Sequence, residues 1–228
     1  MLIKWGSIVV DGSGKLGGHI FSKSRGGNTI RTLARATNPQ TNFQQVIRSR
    51  FTQLSQGWRD LTESERESWY QAESSFSRTN RFGDVVLLTG KNLYNSLNAQ
   101  RAVIGLEVLD VAPMPDKLLI NRNLDSRFGI STRTLVVKGE FASNTKYVIV
   151  ATKGMSQGVR FANNNFRIID TQISNSAGTR LGSGEQVYSK YIDQFGVPTG
   201  NDKIFVGSYY INESGQKSII SSLQARYL

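Results

Sequence analysis

Apolar residues follow one spacing rule before Val111 and another after Asp116. Between them, Val111-Ala112-Pro113-Met114-Pro115-Asp116 interrupts helix and strand alike, because proline has a fixed φ and no N–H to donate. Upstream, Phe43, Ile47, Phe51 (or Arg50), Leu54 and Trp58 recur every three or four residues, which draws one apolar stripe along a helix. Downstream the period is two. Leu135–Phe141, Lys146–Thr152, Val159–Asp170, Gln186–Tyr191, Lys203–Tyr210 and Lys217–Arg226 all read as strands, punctuated by Asn, Gly and Ser. A run of short strands over roughly 100 residues predicts an antiparallel immunoglobulin-like sandwich. The predicted fold class is therefore α+β: a β-hairpin arm over 1–37, a small helical bundle over 38–110, a linker at 111–116 and the sandwich over 117–228.

The arm is predicted from turn chemistry. Asp11-Gly12-Ser13-Gly14 is a turn, and Arg25-Gly26-Gly27-Asn28 lies between His19–Lys23 and Thr29–Leu33, so the Gly pair predicts a tight hairpin. In the helical part, Asn38-Pro39-Gln40-Thr41 opens the first helix. Thr62-Glu63-Ser64-Glu65 has the spacing of a capping box, which starts a second helix whose inner face continues through Trp69, Ala72 (or Glu73) and Phe76. A third helix is predicted from about Gly90 to Ile104, with Leu93, Leu97 and Ile104 inward. Phe51, Leu54, Trp58, Leu61 and Trp69 are the predicted core of the helical hairpin.

Charge is distributed unevenly. The formal net charge is +11, yet no acidic residue stands between Asp11 and Asp60. That stretch carries Lys15, Lys23, Arg25, Arg31, Arg35, Arg48, Arg50 and Arg59, the candidate residues for docking or polyanion contact. Such a field attracts nucleic acid, an acidic protein surface or an anionic membrane. No apolar run approaches the roughly 20 residues that span a bilayer, and the first residues lack a signal-peptide pattern, so no membrane partner and synthesis in a cytoplasm are expected. With no cysteine, the chain has no disulfides, thiolate metal ligands or cysteine nucleophile.

The chemical signals are weak. Gly12-Ser13-Gly14-Lys15 fails as a phosphate loop, because Val9 stands where a glycine is needed and Leu16 where Ser or Thr would ligate magnesium. His19 is the sole histidine and has no neighbours in sequence that complete a metal site or triad. Carboxylates are scattered singly, apart from Glu63, Glu65 and Glu67, which suit a helix start. No enzymatic activity, catalytic residue, metal or cofactor is expected. Tyr188, Tyr191, Tyr209 and Tyr210 offer stacking surfaces for a carbohydrate, against the simpler reading of cross-strand pairs.

Two resemblances add to this. Leu54 to Ala72, with Trp58, Leu61 and Trp69, resembles the second and third helices of an HMG box, which implies minor-groove binding and DNA kinking. A longer pattern comprises Gly14-Lys15-Leu16-Gly17-Gly18, Ser22-Lys23-Ser24-Arg25-Gly26-Gly27, Arg31 and Asn38-Pro39-Gln40-Thr41. It continues through Gln44 or Gln45, Arg48, Phe51, Trp58 and Leu61. This pattern, over roughly residues 14–70, resembles proteins encoded among the virion genes of tailed phages of Bacteroidetes, crAss-like phages included. The resemblance implies a virion context and supplies no catalytic residues. The leading expectation is a virion structural protein: a head decoration or fibre component, or a head–tail connector or tail ring subunit. It would dock on capsid, portal or tail proteins and assemble as a homo-oligomer. The alternative is an architectural DNA-binding protein.

Overall fold

The computed structural model describes residues 1–6, 11–35, 37–116, 118, 125–129, 133–141, 145–162, 164–174, 178–181, 184–199, 202–224 and 226–227. The chain divides into two compact units, one formed by Met1–Ala99 with Leu109–Pro115 and the other by Gln100–Val108 with Asp116–Leu228. Among the described residues, four helices accompany β-sheets that are antiparallel except at one pairing, so the fold is α+β.

The first unit begins with β1 (Leu2–Ile3), β2 (Gly14–Leu16), β3 (His19–Ser24) and β4 (Gly27–Thr32), which form a sheet in the order β1-β4-β3-β2. The hairpin expected at the Gly pair forms: Ser24 pairs with Gly27, leaving Arg25-Gly26 as a two-residue turn, and Gly27 takes φ +109, a conformation an L side chain resists. Polar contacts among the described residues tie this sheet to its own unit. Lys4 Nζ donates to Asp84 Oδ1 at 3.2 Å, Asn80 Nδ2 donates to the Gly26 carbonyl at 3.4 Å, and the Arg25 guanidinium lies 3.8 Å from Glu73.

Helix α1 (Asn42–Asp60) starts at Thr41, whose hydroxyl accepts from the Gln44 N–H at 3.3 Å. Helix α2 (Glu63–Gln71) carries the capping box that its sequence encodes. The Glu65 N–H donates to Thr62 Oγ1 at 3.4 Å, and the Thr62 N–H donates back to Glu65 Oε2 at 2.7 Å. These bonds hold the Glu65 carboxyl below its ordinary pKa, so the stabilisation is present at neutral pH and is lost as pH falls through the carboxylate range. Thr62→Ala is expected to destabilise this unit by about 1 kcal/mol, measured by urea denaturation. Tryptophan fluorescence is the natural probe, because Trp5, Trp58 and Trp69 all lie in this unit.

After β5 (Arg78–Thr79) and β6 (Val85–Val86), which pair as a short hairpin, comes α3 (Gly90–Val103). Leu54, Trp58, Leu61, Trp69, Leu93, Tyr94 and Leu97 make one core, with Trp58 and Trp69 packed edge-on to Tyr94 at 5.4 and 5.3 Å. Phe51, expected in that core, is instead exposed, as are Phe43 and Ile47 of the same stripe. The reason is length: at 1.5 Å per residue α1 runs about 28 Å and α2 about 14 Å, so α2 covers only the C-terminal half of α1.

The segment expected to be a linker also behaves differently. Trp69 Nε1 donates to the Asp110 carbonyl at 2.7 Å, the Ala112 N–H donates to Ser68 Oγ at 3.1 Å, and Leu109 and Ala112 pack against the helical core. The Asn98 side-chain amide pairs in both directions with Leu109, at 2.8 and 3.1 Å. Two prolines stop regular structure there, but the backbone still finds partners, and Leu109–Pro115 belongs to the first unit.

The second unit contains β7 (Asp125–Gly129), β8 (Thr134–Phe141), β9 (Thr145–Ala151), β10 (Arg167–Ser174) and β11 (Gly178–Leu181). Helix α4 (Gly184–Phe195), β12 (Phe205–Tyr210), β13 (Ser221–Gln224) and β14 (Arg226–Tyr227) follow. They form sheets of order β10-β9-β12-β13 and β11-β8-β7-β14, in which β7 and β14 pair in parallel. Phe128, Leu135 and Val137 of one sheet share a core with Tyr147, Ile149 and Val206 of the other, and with Val187 and Tyr191 of α4. On the opposite face of β9, Val148 and Val150 pack with Ile104, Tyr209 and Ile211. This strand is therefore buried on both faces, which explains its unbroken apolar run Tyr147-Val-Ile-Val-Ala151.

Several expected strands are corrected. Gln186–Tyr191 lies within α4, where Val187, Tyr188, Tyr191, Ile192 and Phe195 line one helical face; Gly196, at φ +80, closes the helix with its N–H on the Ile192 carbonyl at 2.8 Å. Of Val159–Asp170, only the part from Arg167 is strand; Phe161 is exposed and a turn precedes β10. Lys217–Arg226 contributes β13 and β14, separated by Ala225, which lies outside the described residues.

A candidate docking surface on the N-terminal unit

Strand register decides how the basic residues of the sheet are displayed. Lys15 pairs with Ile20, and Ile20 pairs with Arg31, so the three occupy one row on one face. Two strand spacings set Lys15 and Arg31 about 10 Å apart. Leu2, Ser22 and Thr29 belong to the same face, and Ser22 Oγ lies 2.7 Å from Thr29 Oγ1. The other face carries Ile3, Trp5, Phe21 and Ile30, with Trp5 stacked on Phe21 at 5.5 Å. Lys23 shares that second face by alternation and is bound to Asp11 at 2.6 Å, which together with the Gly12 N–H holds the Asp11 carboxyl below its usual range.

The remaining cations sit elsewhere. Arg25 occupies the hairpin turn near Glu73, and Arg35 follows β4 in an exposed loop. Arg48, Arg50 and Arg59 lie on α1, where Arg48 Nη2 donates to Asn38 Oδ1 at 2.8 Å. At about 100° per residue, Arg48 and Arg59 project from one side of the helix and Arg50 from the apolar side. The eight candidate residues therefore do not converge on one spot. Lys15, Arg31, Arg35, Arg50 and Arg59 have no side-chain hydrogen bond or ion pair among the described residues.

Apolar groups that the charge pattern did not flag complete this surface. Phe43, Val46, Ile47 and Phe51 on the first half of α1 are exposed by 61%, 47%, 46% and 59%. They continue the stripe whose second half, Leu54 and Trp58, is buried. The stripe itself was legible in the sequence, but the second helix was expected to continue through Phe76 and instead ends at Gln71, so the uncovered half was not.

The segment resembling an HMG box uses its characteristic residues for packing, since Trp58, Leu61 and Trp69 are all in the helical core. The carbohydrate-stacking reading is overturned. Tyr188, Tyr191 and Tyr209 are buried, and Tyr188 and Tyr191 stand on α4 rather than on a strand. Tyr210 is half-buried against its cross-strand partner Tyr147 at 5.8 Å, and Lys217 Nζ sits 4.0 Å over the Tyr209 ring. Among the described residues no helix is long and apolar enough to cross a membrane, and no group of three or more His, Asp or Glu is placed to hold a metal ion.

No protein-family model matches the chain, and no curated protein matches it. Among solved structures, an Fn3-like protein from Clostridium thermocellum is similar at 15% identity, over 50% of this chain and 96% of that one, with a TM-score of 0.32.

Proposed function

We propose that this chain is a non-enzymatic structural protein of a tailed-phage particle, present in multiple copies and docked on other virion proteins through its N-terminal unit. The observation that carries the reading is the surface of that unit: Lys15, Arg31, Arg35, Arg50 and Arg59 have no acidic partner among the described residues, and the first half of α1 exposes an apolar face that includes Arg50. A basic and apolar surface on an otherwise packed unit suits attachment to a complementary lattice. The sequence pattern from Gly14 to Leu61 supports the virion setting, with capsid, portal or tail proteins as partners. The second unit is read as an immunoglobulin-like sandwich. Its sheet orders β11-β8-β7 and β10-β9-β12-β13 follow the Greek-key alternation of such folds, with α4 inserted in the crossover from β11 to β12.

Quantitative mass spectrometry of purified particles tests the proposal. The protein is expected in the virion, and a chain lacking residues 1–35 is expected to be excluded. A copy number matching the portal ring indicates a connector or tail ring, and one near that of the major capsid protein indicates decoration or fibres. Absence of the intact chain from particles sinks the reading. The architectural DNA-binding alternative then leads, favoured by the same unpaired cations. It requires affinity for random duplex DNA to fall with salt at a log–log slope of about 0.9 per phosphate contacted.

A further inference from the structure

We infer that the first half of α1 is a helix-docking face whose occupant is an acidic amphipathic segment of a different protein. The inference deepens the proposed docking role and rests on it only for the identity of the particle. Phe43, Val46, Ile47 and Phe51 fall within an arc of about 140° at 100° per residue, the width of a face that packs against another element. All four are exposed by nearly half or more, although Leu54 and Trp58, on the same face, are buried in the core. The apolar strip is thus continuous with a packed core and stops being covered where α2 ends.

Charge selects the occupant. Arg50 lies inside the strip and Arg48 borders it, and the chain has no acidic residue from Gly12 to Arg59 to offset them. A second copy laid along this face would bring its own Arg48 and Arg50 and no carboxylate, so the positive charge would be doubled rather than compensated. Nucleic acid would satisfy the arginines but leave Val46 and Ile47 facing phosphate and sugar. A segment with Leu-like residues along one side and carboxylates beside them satisfies both parts of the face.

The test uses the full chain and two synthetic helical peptides of identical composition. One carries Leu along one face flanked by Glu, and the other has the same residues scrambled. The patterned peptide is expected to bind at least about tenfold tighter than the scrambled one. Ile47→Ser with Phe51→Ser should abolish that preference, and Arg48→Glu with Arg50→Glu should weaken it by about tenfold. Both variant pairs alter exposed or half-exposed side chains, and an unchanged urea midpoint verifies the fold. Equal binding of the two peptides overturns the inference. So does self-association that disappears with Ile47→Ser and Phe51→Ser, or binding of random duplex DNA that the same pair abolishes. Particle analysis separates the two levels: wild-type protein present, together with normal incorporation of the Ile47→Ser and Phe51→Ser variant, defeats this inference and leaves the virion role standing. Wild-type protein missing from particles defeats the virion role, and the peptide comparison still decides the docking face.

Discussion

Trp69→Ala is expected to cost the N-terminal unit about 3–5 kcal/mol, enough to unfold a domain of ordinary stability at moderate temperature. The indole is fully buried, packs edge-on to Tyr94 at 5.3 Å and donates from Nε1 to the Asp110 carbonyl at 2.7 Å. Truncation removes a fully buried indole from this core, opens a cavity and orphans an acceptor on the returning segment. Urea unfolding followed by the fluorescence of Trp5 and Trp58 checks it. Trp69→Phe keeps most of the ring volume but loses the bond, and should cost clearly less than the alanine change. A cost below about 1 kcal/mol for Trp69→Ala would contradict the packing described for this unit.

In the second unit, Tyr191→Ala should cost about 3–5 kcal/mol and Tyr191→Phe about 1–2. The Tyr191 ring is fully buried, with centroids 5.0 Å from Phe128 and 5.2 Å from Phe195, and its hydroxyl donates to the Thr152 carbonyl at 3.1 Å. The residue therefore joins α4 to both sheets: Phe128 belongs to β7, and Thr152 directly follows β9. Because this unit has no tryptophan, its unfolding is read by far-ultraviolet circular dichroism and tyrosine signals. Alanine and phenylalanine variants that unfold at the wild-type midpoint would show that α4 does not hold the core together.

Much of the local structure was legible because it is governed by nearest neighbours in sequence. Thr62 and Glu65 specify the start of α2 through two reciprocal bonds, and the Gly pair specifies the β3–β4 turn. The helical core was legible for Leu54, Trp58, Leu61 and Trp69, whose spacing also places them inward. Phe51 was misread because periodicity reports which residues share a face, not whether anything arrives to cover it. Gln186–Tyr191 was misread because six residues are too short a window to separate the strand period from the helical one. Extending it to Ile192 and Phe195 restores the helical period. The prolines at 113 and 115 correctly mark a break in regular structure, but long-range bonds from Trp69, Ser68 and Asn98 anchor that segment, and nothing local encodes them. Of the docking surface, the cations were legible from composition. Their separation onto a sheet face, a turn and a helix depended on register and helical phase.

The pairing of β9 with β12 has a consequence for the order in which the chain becomes structured. Val206 lies opposite Ala151 and Tyr210 opposite Tyr147, so the strand buried on both faces waits for partners made 55 to 63 residues later. In contrast, α1 and α2 meet across a junction of Leu61 and Thr62. Loops that short close faster than loops spanning two strands and a helix, and rate falls as mean contact separation grows. During synthesis the N-terminal unit is therefore the earlier to acquire its hairpin, with Phe43, Val46, Ile47 and Phe51 already outward while the β9–β12 ladder is still open. A nascent chain in that interval presents an adhesive helix and unpaired strand edges together, so crowding of copies on a polysome is the stage at which premature association is most costly.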